Sequence, residues 1–220
     1  MWLRKHGCPW DRDTCTAGKG NLEVLMWARE HGCPWDQSYS EAAAGKGDVK
    51  MMQRVISSGC PSSAKEMFVA AASSNNLEVV KWLRAQGFQW GQSTCSAAAR
   101  RGHLELLKWA TENGCPWEEN VCHRAAIGGH LHILKWALAE RRWYFDLNAI
   151  LRCALSQGQY EIANWVTENG GAVDKEILEH AAWNGDMKKL KWAREHGSPW
   201  SGQACTGAAS RGDMVMLKWL

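Results

Sequence analysis

No stretch of this chain approaches the roughly 18 consecutive apolar residues that a membrane-spanning helix requires, and no membrane contact is expected. The net charge is only +3, too small to draw the chain to nucleic acid or an anionic membrane by charge alone. The first ten residues carry Arg4, Lys5 and His6 and no apolar core, so they do not read as a secretory signal. No two of the nine cysteines lie two to four residues apart, the spacing a zinc site would need. The closest approach is seven residues, as between Cys115 and Cys122. An odd number of cysteines without a leader points to free thiols in a reducing, intracellular setting, and the expected location is cytoplasmic.

Catalytic signatures are missing too. Gly18-Lys19 and Gly45-Lys46 lack the rest of a phosphate-binding loop. There is no Ser/His/Asp constellation, and the carboxylates fall at ordinary solvated positions. His130-Leu131-His132 could be drawn as a ligand pair, but the repeat accounts for His130 as a residue that follows the turn, and a ligand role is not expected. The expectation is therefore no enzyme, no cofactor, no metal and no small-molecule substrate.

Tyrosine and phenylalanine are scarce, three of each against fifteen tryptophans. That imbalance has a periodic cause. Turns fall at Gly20, Gly47, Asn75, Gly102, Gly129, Gly158, Gly185 and Gly212, at intervals of 27, 28, 27, 27, 29, 27 and 27 residues. So regular a period marks a repeat array, which grows linearly without one central core. A Trp lies seven residues after the turn at 27, 82, 109, 136, 165, 192 and 219, and only Arg54 breaks the series. The five prolines share one repeat position, at 9, 34, 61, 116 and 199, just past a helix end.

Residues 94–117, TCSAAARRGHLELLKWATENGCPW, show the unit. A small-residue first helix, Thr94 to Arg101, leads through Gly102 into an amphipathic second helix, Leu104 to Asn113. Leu104, Leu107 and Ala110 form its stripe, with Leu106 and Trp109 widening it. The Trp series is accordingly read as core. Asn21, Asp48, Asn76, Asp186 and Asp213 follow the turn and are expected to cap the second helix. Glycine twelve residues after the turn, as at Gly114, is expected to end it in a left-handed conformation. Helices of eight to ten residues are too short to stand alone, so stability must come from stacking.

Two segments depart from the pattern. The unit between Trp10 and Gly20 lacks two residues, which predicts a short or distorted first helix. Residues 141–150, RRWYFDLNAI, replace the stop glycine and predict a local irregularity. Both ends fall mid-repeat, and no polar capping repeat is visible. One repeat domain over 1–220 is expected, either a fragment or an array that borrows a cap.

Gly102-His103-Leu104-Glu105-Leu106-Leu107-Lys108-Trp109, with Gly114 beyond, resembles the second helix of an ankyrin repeat. Thr94 and Ala98-Ala99 resemble what is left of the ankyrin first helix. The resemblance covers all eight units. It departs where Pro-Leu-His is missing and where about five residues are absent between Gly and Thr, the place of the ankyrin β-hairpin finger. Short units of this kind are similar to divergent ankyrin arrays of large DNA viruses and of microbial eukaryotes such as oomycetes and algae. The resemblance implies an all-α, ankyrin-like helical solenoid with shortened fingers. It also implies a non-enzymatic scaffold or adaptor that binds a protein partner.

In an array, recurring residues serve stacking, and specificity falls to those that vary. Cys8, Cys33, Cys60 and Cys115 share a turn position with Phe88 and Ser198, which marks it as buried filler. Cys95, Cys122 and Cys205 share a helix position with Phe68 and Leu178 and read as core. Like cysteines in successive units should stand roughly 10 Å apart, too far for a disulfide. The partner-binding candidates are the variable first-helix and pre-turn residues Arg100, Arg101, His123, Arg124, Trp183 and Arg211, which would present a shallow basic groove to an acidic partner. Trp143 is a further off-pattern candidate. Single-stranded RNA bound by the same basic positions is the alternative.

Overall fold

The computed structural model describes residues 24, 27, 30–32, 37–91, 93–118, 120–140 and 146–220. The shortened first unit and the aromatic cluster Trp143, Tyr144 and Phe145 lie outside these residues. So do Cys8 and Cys33. Among the described residues there is no strand, only helices and the turns that join them. They group into two compact units, Met1–Glu118 and Glu119–Leu220.

The first unit holds α1 (Ser38–Lys46), α2 (Val49–Ser57), α3 (Ala64–Ser73), α4 (Leu77–Ala85), α5 (Thr94–Arg101) and α6 (Leu104–Glu112). The second holds α7 (Asn120–Gly128), α8 (Leu131–Glu140), α9 (Leu147–Ser156), α10 (Tyr160–Glu168), α11 (Lys175–Asn184), α12 (Met187–Glu195), α13 (Gly202–Ser210) and α14 (Met214–Trp219). Odd-numbered helices are the first helix of each pair. They stack on one another, α1 on α3 on α5 in the first unit, and α7 on α9 and α11 on α13 in the second.

Small side chains make this stacking possible. Two adjacent positions in each first helix hold Ala43-Ala44, Ala71-Ala72, Ala98-Ala99, Ala125-Ala126 and Ala181-Ala182, all without exposed surface. The only described exception to this small pair is Ala154-Leu155. Leu155 is buried, and α9 packs closely on α7 and α10 but only loosely on α11. An isobutyl group where every neighbour has a methyl holds the two helices apart, because packed interiors do not absorb extra volume without moving.

Second helices contribute a buried trio at four, five and eight residues after the turn: Val79, Val80 and Leu83; Leu106, Leu107 and Ala110; Ile133, Leu134 and Ala137. Each fully buried leucine here is worth about 2 kcal/mol of transfer free energy. The stripe thus centres on Leu106 and Leu107, with Leu104 only half-buried at its margin. The helix tryptophans are corrected in the same way. Trp82, Trp109, Trp136 and Trp165 are half-buried, Trp27 and Trp219 exposed, and Trp192 is the one buried member among those described. An indole beside the trio is too large for the narrow seam and lies along its edge instead. Cys205 is likewise exposed and not core, because no further first helix of the described chain packs on α13.

Turn chemistry separates two uses of one position. Asp48, Asp186 and Asp213 cap their own helices, accepting from Met51 N, Lys189 N and Met216 N at 2.9 Å each. Asn76 does not cap α4. Its Nδ2 donates to Ala44 O and Gly45 O of the preceding pair at 3.0 and 2.7 Å. His103 Nε2 reaches Ser73 O in the same manner at 3.1 Å. A carboxylate can only accept, so it satisfies the N–H groups of its own helix. An amide or imidazole can donate, so it serves the unpaired carbonyls one repeat back. Asn75, at φ 60°, is the one described non-glycine turn residue in the left-handed region, where Asn is tolerated.

A second device ties three of the first helices, α5, α9 and α11, to the segment that follows their pair. The residue six before the turn meets the one sixteen after it. Ser96 Oγ donates to Glu118 Oε2 at 3.2 Å, Ser201 Oγ donates to Glu179 Oε1 at 2.5 Å, and Arg152 pairs with Asp174 at 3.6 Å. Asp174 and Ser201 are also the N-caps of α11 and α13.

Two outcomes are expected in urea unfolding. Asp174→Ala removes both a cap for Ile177 N and the Arg152 ion pair, and should cost about 1–2 kcal/mol, while Asp174→Asn keeps the cap and should lose less than half of that. Leu155→Ala should cost less than the roughly 2–5 kcal/mol of a rigid core site such as Leu106→Ala, since α11 can close on the alanine.

Candidate functional site

Of the six candidate residues, Arg100 and Arg101 end α5 in the first unit, both exposed. The other four belong to the second unit. His123 and Arg124 are half-buried on α7, Trp183 is 45% exposed near the end of α11, and Arg211 is the exposed C-cap of α13. Trp183 and Arg211 are brought together. Arg211 Nη1 lies 3.4 Å from Trp183 O, and its guanidinium covers Gly185, where a Cβ would come within 2.7 Å of it. The base of the Trp183 side chain crosses α13 at Gly207, where a Cβ would sit 3.1 Å from Trp183 Cγ and N. Glycine at 207 is what lets the two helices meet there.

The loose seam between α9 and α11 opens as a cleft of about 350 Å³. Leu155 and Ile177 form its apolar lining, and Arg152, Cys153, Glu176, His180, Asn184 and Lys189 bring polar groups to it. Arg124 belongs to its electrostatic surroundings, because it acts on Cys153. Burial raises the Cys153 thiol pKa, and the guanidiniums of Arg152 and Arg124 pull it back in part. The thiol is therefore no activated nucleophile.

Lys189 is the most informative of these residues. It stands four after the turn, where the other units have Met51, Val79, Leu106, Ile133 and Ile162 in the buried trio. Its side chain keeps only 13% of its surface exposed, and its Nζ lies 3.6 Å from Asp186 Oδ2. Asp186 engages this recessed cation only at 3.6 Å, and Glu176 is the one carboxylate among the cleft's lining residues, so its own chain compensates it in part. It can still accept a carboxylate from outside. Among the described residues, no three His, Cys, Asp or Glu side chains gather as a metal would need.

Sequence reasoning missed Lys189, Asn184 and the cleft itself. Two signals were present: Lys at a position otherwise apolar, and Leu155 in an otherwise small pair. Arg152, another variable residue, has its guanidinium partly engaged by Asp174. The turn tryptophans show a recurring arrangement. Arg84 stacks over Trp90 at 4.9 Å and donates to Phe88 O, and Trp90 meets Trp109 at 6.0 Å. Arg194, Ser198, Trp200 and Trp219 repeat it, with Arg194 at 3.8 Å from the Trp200 ring centre, Arg194 Nη1 donating to Ser198 O, and the two rings 6.1 Å apart. These side chains are committed to joining repeats.

Comparison with known proteins agrees with this architecture. The family model described as Ankyrin repeats (many copies) matches residues 67–111 and 95–138. No curated protein sequence matches the chain. One hundred or more solved chains resemble it in structure. The crystal structure of the human ASB11 ankyrin repeat domain does so with a TM-score of 0.55 at 16% identity, over 73% of this chain and 84% of that one. Residues 67–138, which run through α3 to α8, thus match ankyrin repeats in sequence, and the chain resembles an ankyrin-repeat solenoid in fold over most of its length.

Proposed function

We propose that this chain is a non-enzymatic scaffold that binds an acidic segment of a protein partner in the cleft between α9 and α11. Ankyrin repeats generally mediate protein–protein interaction, and the coarse reading rests on that. The finer one rests on a single observation, the half-buried Lys189 in a place that the other units keep apolar. Arg124 adds positive potential beside it, and Asn184 and His180 supply hydrogen-bonding groups to the same walls. A partner carboxylate entering the cleft would compensate the lysine and be desolvated by Leu155 and Ile177, which strengthens the pair. Trp183, Arg211 and His123 extend the contact along the first helices, and Arg100 and Arg101 offer a second basic patch on α5. Among the described residues no helix is long and apolar enough to cross a membrane. The buried thiol of Cys122, which forms no disulfide, suits a cytoplasmic setting.

The alternative is single-stranded RNA on the same basic positions. The cleft favours a peptide, because Lys189 is its single recessed cation and His180 the only ring among its lining residues, whereas RNA binding relies on rows of cations and open stacking surfaces.

Peptides selected from a random displayed library on the full chain should be enriched in Asp and Glu. Lys189→Met, which installs the residue found at position 51, should weaken them about ten-fold or more, equivalent to at least 1.4 kcal/mol, while leaving urea stability equal or higher. Unchanged affinity in Lys189→Met would remove the cleft from consideration. Salt-sensitive binding of a labelled single-stranded RNA in place of peptide would transfer the assignment to nucleic acid.

A further inference from the structure

Two cysteines from separate series of the repeat meet in the first unit. Cys95 is the second residue of α5, and Cys115 stands in the segment after α6. Their sulfurs lie 2.9 Å apart, with Cys95 fully buried and Cys115 only 5% exposed. The equivalent pairs of positions hold Ser40 and Cys60, Phe68 and Phe88, and Leu178 and Ser198. Among the described residues, the third repeat alone sets thiol against thiol. Such a pair does nothing for packing that serine or phenylalanine does not do elsewhere. Glu118 is the nearest acidic group that acts on Cys95, and no third thiol or imidazole completes a metal site.

We propose that Cys95 and Cys115 are a reversible disulfide site, closed by hydrogen peroxide and reopened by a thiol reductant. This reading stands on geometry and is independent of the partner proposal. The sulfurs need to approach by less than 1 Å to reach the bonded length of about 2.05 Å. Order follows from environment. The hydrogen bond to Cys115, and then burial, raise the Cys95 thiol pKa, so Cys95 stays protonated and unreactive toward oxidant. Cys115 lies in a turn and keeps the only exposed surface of the two. Its sulfur attacks the peroxide, an S–O bond forms, the O–O bond breaks, and one water leaves with the thiol proton. Cys95 then attacks the resulting sulfenic acid, the S–S bond forms, the S–O bond breaks, and its proton leaves with hydroxide as a second water. Two electrons pass from the thiol pair to the peroxide. The product ties α5 to the segment that carries Glu118, beside the Ser96–Glu118 hydrogen bond.

The full chain is treated with hydrogen peroxide, its remaining thiols are alkylated under denaturing conditions, and it is digested without reduction. Trypsin together with a Glu-specific protease, cutting after Glu118 and Glu119, puts Cys115 and Cys122 on separate peptides. The expected product is a linked peptide pair containing Cys95 and Cys115, two hydrogens lighter than the sum and lost on treatment with dithiothreitol. The melting temperature should rise by several degrees on oxidation, and Cys115→Ser should abolish that rise. Recovery of Cys95 and Cys115 as separately alkylated thiols overturns the proposal. So does Cys115 as an unlinked sulfinic acid, or either residue bonded to a different cysteine.

Discussion

Everything in this chain depends on how closely one first helix can approach the next. A methyl group is the largest side chain the seam accepts at two adjacent positions, and the Ala-Ala pairs from α1 to α11 are buried without remainder. Helices of eight to ten residues have little stability of their own. Close approach supplies it, by turning each weak helix into a wall for its neighbours. The buried trios of the second helices complete the interior, and the left-handed turns set the distance at which each pair folds back. Where the methyl rule is broken, at Leu155, the seam opens, and the opening is where polar side chains converge. The proposed site is a local exception to a packing rule.

The fold was legible in the sequence because stacking leaves a period. Turn positions, helix bounds and the terminating glycines all follow from residues that must recur for pairs to fit. The tryptophans misled because a hydrophobic residue at a constant position looks like core. Periodicity reports that a position matters to packing without saying whether it lies at the centre of the seam or along its rim. Asn76 misled for a different reason. Its side chain can donate, and the carbonyls it serves belong to a repeat that lies about thirty residues away in sequence.

The candidate site was less legible, since it arises from two substitutions more than thirty residues apart in sequence. Leu155 and Lys189 are both unexceptional residues for a helix. Each becomes informative only against its counterparts in the other repeats, and only the folded chain shows that they face one cavity. Arg124, Trp183 and Arg211 do share the second unit, and Trp183 and Arg211 do touch. Arg152 varies as well, yet part of its charge goes to Asp174. Variation therefore also marks repeat-specific joints.

Those joints carry a consequence for the order of the repeats. The same pair of positions is filled by Ser96 with Glu118, by Arg152 with Asp174, and by Glu179 with Ser201. The hydroxyl and the carboxylate exchange ends between the first case and the third. If the helix bearing Glu179 were set before the segment bearing Glu118, two carboxylates would face each other. If the helix bearing Ser96 were set before Ser201, the seam would lose its charge altogether. The units share one shape but are not interchangeable parts. Their succession along the chain is written in part into complementary polar pairs, so a shuffled array would keep its alanine seams and still misfit wherever two like groups met.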